Sequence, residues 1–198
     1  MHALIVVSHP VNTSLTHSVA SAIAQGGAAS NPHNTFEIAD LAREGFNPAF
    51  SAPDVAAFQQ TGATPPDVAA QQLRIDNADA LVLVFPIYWW SMPGLLKGWI
   101  DRVFTNGWAY EETADGNVVK KLGHLPVHLV ALGAASRKTF EKHGFSDAFN
   151  AQITHGIFDY CGAPVMTSEM LLMPEMKTPD ACLAAARNIG GGIFANAG

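Results

Sequence analysis

Short runs of apolar residues recur along the chain, and longer segments with helical spacing of apolar positions separate them. The runs are ALIVV at 3–7, TFEIADL at 35–41, ALVLVF at 80–85, LPVHLVAL at 125–132 and PVMTSEMLL at 164–172. An uninterrupted apolar run is typical of a strand that is buried on both faces, as in a parallel sheet. The pattern therefore predicts five strands.

The segments between and after these runs predict helices. They cover residues 15–25, 66–77, 93–104 and 145–160, and a last helix begins after Thr178. Asn12, Thr13 and Ser14 are N-cap candidates for the first of them. Thr178 is a good N-cap for the last, because Pro179 follows it at the first helical position.

Strands that alternate with helices form βαβ units, which have right-handed crossovers and a parallel sheet. We therefore expect an α/β fold: a single domain over residues 1–198 with a doubly wound five-stranded sheet of order 2-1-3-4-5. In such a sheet, ligands bind beyond the carboxyl ends of the strands, near the switch between strands one and three. Function is expected just after residues 8, 85 and 132.

Composition narrows the class of protein. Of 198 residues, 48% are hydrophobic and 14% are charged, which indicates a globular chain, and the net charge of −6 argues against a nucleic-acid partner. The two cysteines, Cys161 and Cys182, have no metal-like spacing and provide no disulfide framework. No apolar stretch is long enough to span a membrane, and the start of the chain does not resemble a signal peptide. We expect a cytoplasmic protein without a metal site.

The first strand is followed by SHPVNTSLTHS, which leads into the first helix. The N-terminus of a helix offers free N–H groups and the positive end of its dipole, so an anion fits there. His9, Asn12, Thr13 and Ser14 add side-chain donors. The segment is neither a Walker loop nor a GxGxxG fingerprint, and an ordinary capped turn with a surface histidine is the alternative.

The third strand is followed by Tyr88, Trp89 and Trp90, directly after Pro86 and Ile87. Trp99 shares the helical spacing of apolar residues in 93–104 and is expected in the core. Trp89 and Trp90 precede that helix and are expected to stack beside a flat conjugated ligand. The alternative is that they plug the end of the sheet or an oligomer interface.

The fourth strand is followed by Gly133, Ala134 and Ala135, whose small side chains permit close approach of the backbone to a ligand. His143 lies ten residues further along. The three loops converge at one crevice in the predicted topology. Together they fit a flavin nucleotide, with its phosphate at the first loop and its flat ring at the second and third.

The segments FPIYWWSMPGLLKGWIDRVF and GWAY form a long motif, accompanied by ALIVVSHP near the start and GIFDYCG at 156–162. Over essentially its whole length the chain resembles the flavodoxin-like NAD(P)H:quinone oxidoreductases, a group that includes DT-diaphorase and the modulator-of-drug-activity proteins. The resemblance implies a flavodoxin fold, a tightly bound flavin and a homodimer with its active sites at the interface. It favours FAD, and FMN is the alternative.

The resemblance also assigns roles to residues. Those implied to bind the cofactor are His9, Thr13, Ser14, Leu15, Pro86, Ile87, Tyr88, Trp89, Trp90, Gly133 and Ala134. Tyr110 and Tyr160 are implied to reach across the dimer into the partner's substrate pocket, which Trp89 and Trp90 also line. His143 is implied to assist charge relay, and with Tyr110 it is our catalytic candidate. The family's relay tyrosine has no match, since the nearest residue, Phe140, has no hydroxyl.

The implied activity is a two-electron, ping-pong reduction of quinones or similar acceptors by NADH or NADPH. Relatives of similar sequence suggest a regulatory flavin-binding subunit of an ion-efflux system as one alternative, and an azo- or nitro-compound reductase is another. A simple electron carrier is disfavoured by the aromatic-rich pocket, because a carrier needs only an exposed edge of its flavin.

Overall fold

The computed structural model describes residues 1–195. Its main sheet contains five parallel strands: β1 (His2–Val7), β2 (Thr35–Asp40), β3 (Ala80–Pro86), β6 (Val127–Gly133) and β7 (Val165–Leu172). A separate antiparallel hairpin consists of β4 (Tyr110–Glu112) and β5 (Val118–Lys120). The strand order β2-β1-β3-β6-β7 confirms the predicted order 2-1-3-4-5.

Helices cover both faces of the sheet. They are α1 (Leu15–Ser30), α2 (Ala52–Phe58), α3 (Pro66–Asp76), α4 (Gly94–Val103), α5 (Arg137–Lys142), α6 (Phe145–Phe149), α7 (Met173–Met176) and α8 (Pro179–Gly192), with a π-helix at Asn150–Asp159. Residues of α3, α4 and the π-helix pack into one hydrophobic core, and residues of α1 and α8 pack into the other. The central strands β1, β3 and β6 are almost entirely buried because both faces are covered.

The helices α1 and α8 approach each other closely where glycine replaces a side chain. A Cβ atom on Gly190 would lie 2.0 Å from the carbonyl oxygen of Ile23, and one on Gly26 would lie 2.1 Å from that of Arg187. Only the absence of side chains lets the two backbones meet at this distance. This contact fixes α1, and with it the loop between β1 and α1.

Several short elements are absent from the sequence-based prediction. These are α2, α5, α7 and the β4–β5 hairpin, while the helix predicted over 145–160 is divided into α6 and the π-helix. Each of the unpredicted elements has seven residues or fewer, too short for an apolar periodicity to emerge. Two of them depend on local capping: Ser51 forms a capping box with Asp54 ahead of α2, and Ser136 caps α5.

Two features are absent from residues 1–195, the part of the chain that the structure describes. No helix there has the length and apolar character to cross a membrane. The same residues contain no group of three or more histidine, cysteine, aspartate or glutamate side chains placed to hold a metal ion.

Candidate active site

The loops after β1, β3 and β6 all lie at the carboxyl edge of the sheet. A cavity of about 200 Å³ opens between the last two of these loops. Its lining residues are Ile87, Trp89, Trp90, Gly133, Ala134, Ala135 and Phe140. No lining side chain carries a charge, so this cavity suits a flat apolar group rather than an ion.

The Trp89–Trp90 dipeptide occupies the centre of a tight turn. Tyr88 N–H donates to the Ser91 carbonyl oxygen, and Ser91 N–H donates to the Tyr88 carbonyl oxygen, both at 3.0 Å. Trp89 and Trp90 have φ angles of +48° and +63°. Positive φ at both central residues defines a type I′ turn, which normally requires glycine, asparagine or aspartate. A bulky residue in this region is strained by roughly 1–3 kcal/mol.

The two tryptophans have different surroundings. Trp89 projects into solvent with 93% of its surface exposed. Trp90 is half-buried: its ring stacks on Phe145 and meets Phe140 edge-on at 5.3 Å. Of the two rings, only that of Trp89 is largely open, and the prediction that they stack on a flat ligand stays a prediction. Trp90 forms a wall of the cavity because neighbouring aromatic rings already cover one of its faces.

The turn is also tied to the π-helix. The Ser91 hydroxyl donates to the Gln152 side-chain oxygen at 2.8 Å. At the start of the same loop, Ile87 N–H donates to the Leu132 carbonyl oxygen at 2.7 Å, which joins the loop to β6. Among the described residues, neither Trp89 N–H nor Trp90 N–H donates to another group. The turn therefore presents two free backbone donors from a fixed position.

Gly133 lies at the floor of the cavity, where β6 ends. A Cβ atom there would lie 2.7 Å from Cδ2 of Leu172 and 3.3 Å from Cδ1 of Ile87. Its neighbour Ala134 is exposed. At Gly133 the neighbouring strand and loop leave no room for a larger residue, and the approach of this backbone to a ligand stays a prediction.

The first loop leads into α1 at Ser14. The Ser14 side chain accepts a hydrogen bond from His17 N–H and lies 2.9 Å from His17 Nδ1. His17 Nε2 lies 2.9 Å from Asp40 Oδ2, at the end of β2. Burial acts to raise the pKa of Asp40, but backbone donors near Arg43 and the His17 side chain outweigh it, and the pKa stays below the ordinary value of 3.8.

Beside this loop lies a second cavity of about 360 Å³. Its lining residues are His9, Pro10, Val11, Asn12, Asp40, Ala42 and Arg43. His9 Nδ1 accepts from Val11 N–H at 3.0 Å, which holds the loop in shape.

Several of the predicted cofactor-binding residues line neither of these two cavities. Thr13 is exposed, and Leu15 packs into the core under α1. Pro86 and Tyr88 also lie outside the lining of the first cavity.

Tyr110 and Tyr160 lie at the opposite edge of the sheet from both cavities. The helix α4 precedes Tyr110 and leads the chain back towards the amino end of β6, and the π-helix, which precedes Tyr160, leads it back to the amino end of β7. At that edge Val127 N–H donates to the Pro164 carbonyl oxygen. The two rings meet edge-on at 5.2 Å, and burial raises the pKa of Tyr110 to about 12. Tyr110 is 7% exposed in a single chain, and its implied reach into a partner's substrate pocket stays a prediction. Tyr160 is exposed by 40%.

His143 caps the C-terminal end of α5 and is exposed. Its ring stacks on Phe145 at 5.5 Å, and it does not line the first cavity. Phe140, which stands nearest to the position of the missing relay tyrosine, does line it. A single chain therefore brings His143 next to the aromatic wall, without direct access to the cavity.

Three residues that line or support these cavities were not identified from the sequence. Phe145 forms the stack behind Trp90, and His17 and Asp40 form the hydrogen-bonded pair beside α1. Phe145 stands near the start of a predicted helix, and nothing in the sequence indicates which ring it meets. Parallel pairing of β1 with β2 brings Asp40 next to the first loop, across 23 residues of sequence from His17.

Comparison with known proteins agrees with this fold. A relative from Haemophilus influenzae named "Uncharacterized NAD(P)H oxidoreductase" is 30% identical over 82% of this chain and 79% of its own length. The Escherichia coli protein YcaK, named likewise, is 36% identical over 71% of this chain and 68% of its own.

Solved structures share the architecture. An NAD(P)H:quinone oxidoreductase from Methanothermobacter marburgensis superposes with a TM-score of 0.84 at 24% identity, over 96% of this chain and 98% of that one. An FMN-dependent NADH-azoreductase from Bacillus anthracis, solved with FMN, gives 0.74 at 14% identity, over 100% and 99%. At these identities the likeness concerns the fold. The family model described as "Flavodoxin-like fold" matches residues 1–189, and the chain belongs to this flavodoxin-like family.

Proposed function

We propose that the protein is a flavin-dependent NAD(P)H oxidoreductase that reduces quinones or similar flat acceptors. The observation that carries the proposal is the Trp89–Trp90 turn. Two adjacent tryptophans hold a strained conformation and leave their amides free beside an apolar cavity. Backbone strain of this kind clusters at functional sites, where it positions groups for a ligand. The names of the two bacterial relatives agree with an oxidoreductase that uses NAD(P)H.

The residues at the cavity fit a flavin ring. Gly133 permits backbone contact along one edge, and the free amides of Trp89 and Trp90 are donors for the ring's polar edge. A flavin bound there would supply an acceptor for the hydride of the nicotinamide and, once reduced, a two-electron donor for the quinone. The exposed ring of Trp89 offers a stacking surface that would orient first the nicotinamide and then the acceptor. The apolar side chains of Phe140 and Ile87 exclude water from the cavity.

The first loop fits the flavin's phosphate. The N-terminus of α1 provides free amides, and Ser14 and His9 stand beside it. The Ser8 hydroxyl at the end of β1 is buried and has no partner among the described residues, so a polar ligand group nearby would satisfy it. Of the two flavins we propose FAD, because the 360 Å³ cavity that adjoins this loop has room for an adenylate group. FMN is the alternative.

We also propose a homodimer. The 200 Å³ cavity is smaller than the roughly 300–1,000 Å³ of ordinary ligand pockets. A second copy would complete it, with Tyr160 and the neighbouring Tyr110 of one chain approaching the cavity of the other. Exposed apolar side chains at Phe50, Phe58 and Trp89 would be covered at the same time. Light scattering tests this: a flavin-loaded 21.0 kDa particle at micromolar concentration would contradict it.

Three measurements test the function itself. Purified protein should be yellow with about one flavin per chain, and chromatography of the released cofactor separates FAD from FMN. Steady-state oxidation of NADH or NADPH should require menadione as acceptor. Failure to take up either flavin on reconstitution would contradict the proposal, and flavin binding without nicotinamide oxidation would indicate an electron carrier.

The azoreductase alternative concerns only the acceptor. An azo dye is as flat and apolar as a quinone, and the cavity lining carries no charge that would select between them. Comparison of kcat/KM for menadione and for an uncharged azo dye decides between the two. We propose the quinone as the better acceptor, and a higher value for the dye would reverse the assignment.

A further inference from the structure

The helix α5 begins directly after the cavity-lining residues and carries three cations: Arg137, Lys138 and Lys142. All three are exposed. Within residues 1–195, five of the eleven lysine and arginine side chains form ion pairs, and these three are not among the five. Six lysine and arginine side chains remain outside these ion pairs, and three of the six lie on the six residues of α5. This concentration of positive charge contrasts with the net charge of −6 for the chain.

The position of α5 relative to the cavity is fixed at three points. Ser136 caps the helix by accepting from Thr139 N–H, and Arg137 N–H donates to Glu175 at 2.7 Å. Phe140, in the middle of the helix, lies in the cavity wall against Trp90. Arg137 lies three residues before Phe140 and shares its side of the helix, next to the cavity, while Lys138 and Lys142 lie on the outer side and add positive charge at longer range.

The acidic groups nearest to these cations in the fold are on α5, at its N-terminal end and on the adjoining α6, where Asp147 lies. Glu141 lies on the same helix and Glu175 caps it, while His143 at its C-terminal end is the other titratable group. The segment 137–142 keeps a net charge of +2. Positive charge beside an apolar cavity attracts a ligand that has both a flat apolar part and a negatively charged part.

We propose that α5 recognises the extra phosphate of NADPH, so that the enzyme prefers NADPH to NADH. This inference rests on the function proposed above and names its electron donor. The two nucleotides share the nicotinamide that stacks in the cavity and differ only in the phosphate on the adenosine ribose. Arg137 offers a forked pair of donors to that phosphate, and Lys138 and Lys142 offer point charges.

The test compares both nucleotides with the flavin-loaded protein, using menadione as acceptor. We expect wild type to show a kcat/KM for NADPH about tenfold above that for NADH, and a preference that declines at high salt. The triple variant Arg137→Gln, Lys138→Gln, Lys142→Gln should bring the ratio close to one through a higher KM for NADPH. NADH kinetics are the internal control, because NADH lacks the phosphate.

A charge control separates local recognition from net charge. Ala184→Glu, Asn188→Glu and Arg187→Gln together change the net charge by −3, as the triple variant does, at exposed positions on α8, which packs against α1, and should keep the NADPH preference. Calorimetric titration with NADP+ and NAD+ reports binding without turnover. Equal binding of the two, a wild-type preference for NADH, or an unchanged ratio in the triple variant would overturn the inference. Oxidation of neither nucleotide, with normal NADP+ selectivity in binding, would contradict the proposed function alone.

Discussion

Trp90 stacks on Phe145 with ring centroids 4.0 Å apart and planes within 13° of parallel. This contact joins the turn after β3 to α6, which comes after α5 on the β6 side of the cavity. One tryptophan of the pair therefore holds two walls of the cavity together, and its neighbour Trp89 is left free in solvent. Because these two adjacent tryptophans have different contacts, substitution of each one should have a different effect.

Truncation of the stack should loosen the cavity. We expect Trp90→Ala and Phe145→Ala each to destabilise the flavin-free protein, with a coupling free energy of about 0.5–1.5 kcal/mol for the aromatic pair. The measurement is a double-mutant cycle by urea unfolding. Additive effects of the two substitutions would contradict a direct contribution of the stack.

Trp89 should affect binding, not folding. Both Trp89→Ala and Trp89→Gly should weaken flavin or nicotinamide binding roughly three- to tenfold, because a stacking surface is lost. Glycine, which tolerates positive φ, should also relieve strain, so flavin-free Trp89→Gly should be about 1 kcal/mol more stable than Trp89→Ala. Thermal unfolding and NADPH titrations check both parts. Collapse of the flavin-free fold in Trp89→Ala would instead make this side chain a structural plug.

Trp99 provides the contrast within the same segment. Its side chain is fully buried under α4, and its Nε1 donates to the Gln71 side-chain oxygen at 3.1 Å. Trp99→Ala should cost roughly 3–5 kcal/mol of unfolding free energy. Chemical denaturation of the flavin-free protein beside Trp89→Ala is the measurement, and a loss no larger than that of Trp89→Ala would be inconsistent with this packing.

Gly133 should not accept a side chain. Gly133→Ala places a Cβ against Leu172 and Ile87, and we expect a loss of roughly 1–3 kcal/mol together with reduced flavin uptake. Gly94→Ala is the matched control, since a Cβ there meets nothing within 4 Å at the start of α4. Unfolding free energies of the two variants should move in opposite directions. An unchanged unfolding free energy for Gly133→Ala would show that the residues around the cavity floor can move to accept a side chain.

His128 should make stability depend on pH. The side chain is buried in β6 with Nδ1 3.0 Å from the Thr167 hydroxyl, and burial lowers its pKa from 6.5 to about 4. Between these values the unfolded chain binds the proton and the native protein does not. Stability should therefore fall as the pH is lowered from about 6.5 to 4, by about 3 kcal/mol in total.

His128→Gln retains a polar group for Thr167 but does not titrate in this range. Its unfolding free energy should change less over the same pH interval, measured by urea denaturation at fixed pH steps. Parallel profiles for wild type and His128→Gln would assign the acid sensitivity to other groups.

The sequence alone determined the sheet and its order. Five buried apolar runs alternating with helices allow few topologies once crossovers are right-handed, and the resulting edge locates both candidate cavities. Trp99 was assigned to the core by spacing, because helical periodicity reports which side of a helix is buried. The family resemblance rested on a motif long enough to be read without any structure.

Tertiary structure decided what each residue at that edge does. Trp89 and Trp90 are equivalent in the sequence, and only the position of Phe145, 55 residues from Trp90, makes one a wall and leaves the other exposed. Nothing in the local sequence indicates that Tyr110 is buried, and its burial depends on the contact with Tyr160, 50 residues further along the chain. Such outcomes depend on contacts between segments distant along the chain, and local propensity and periodicity carry no information about those contacts.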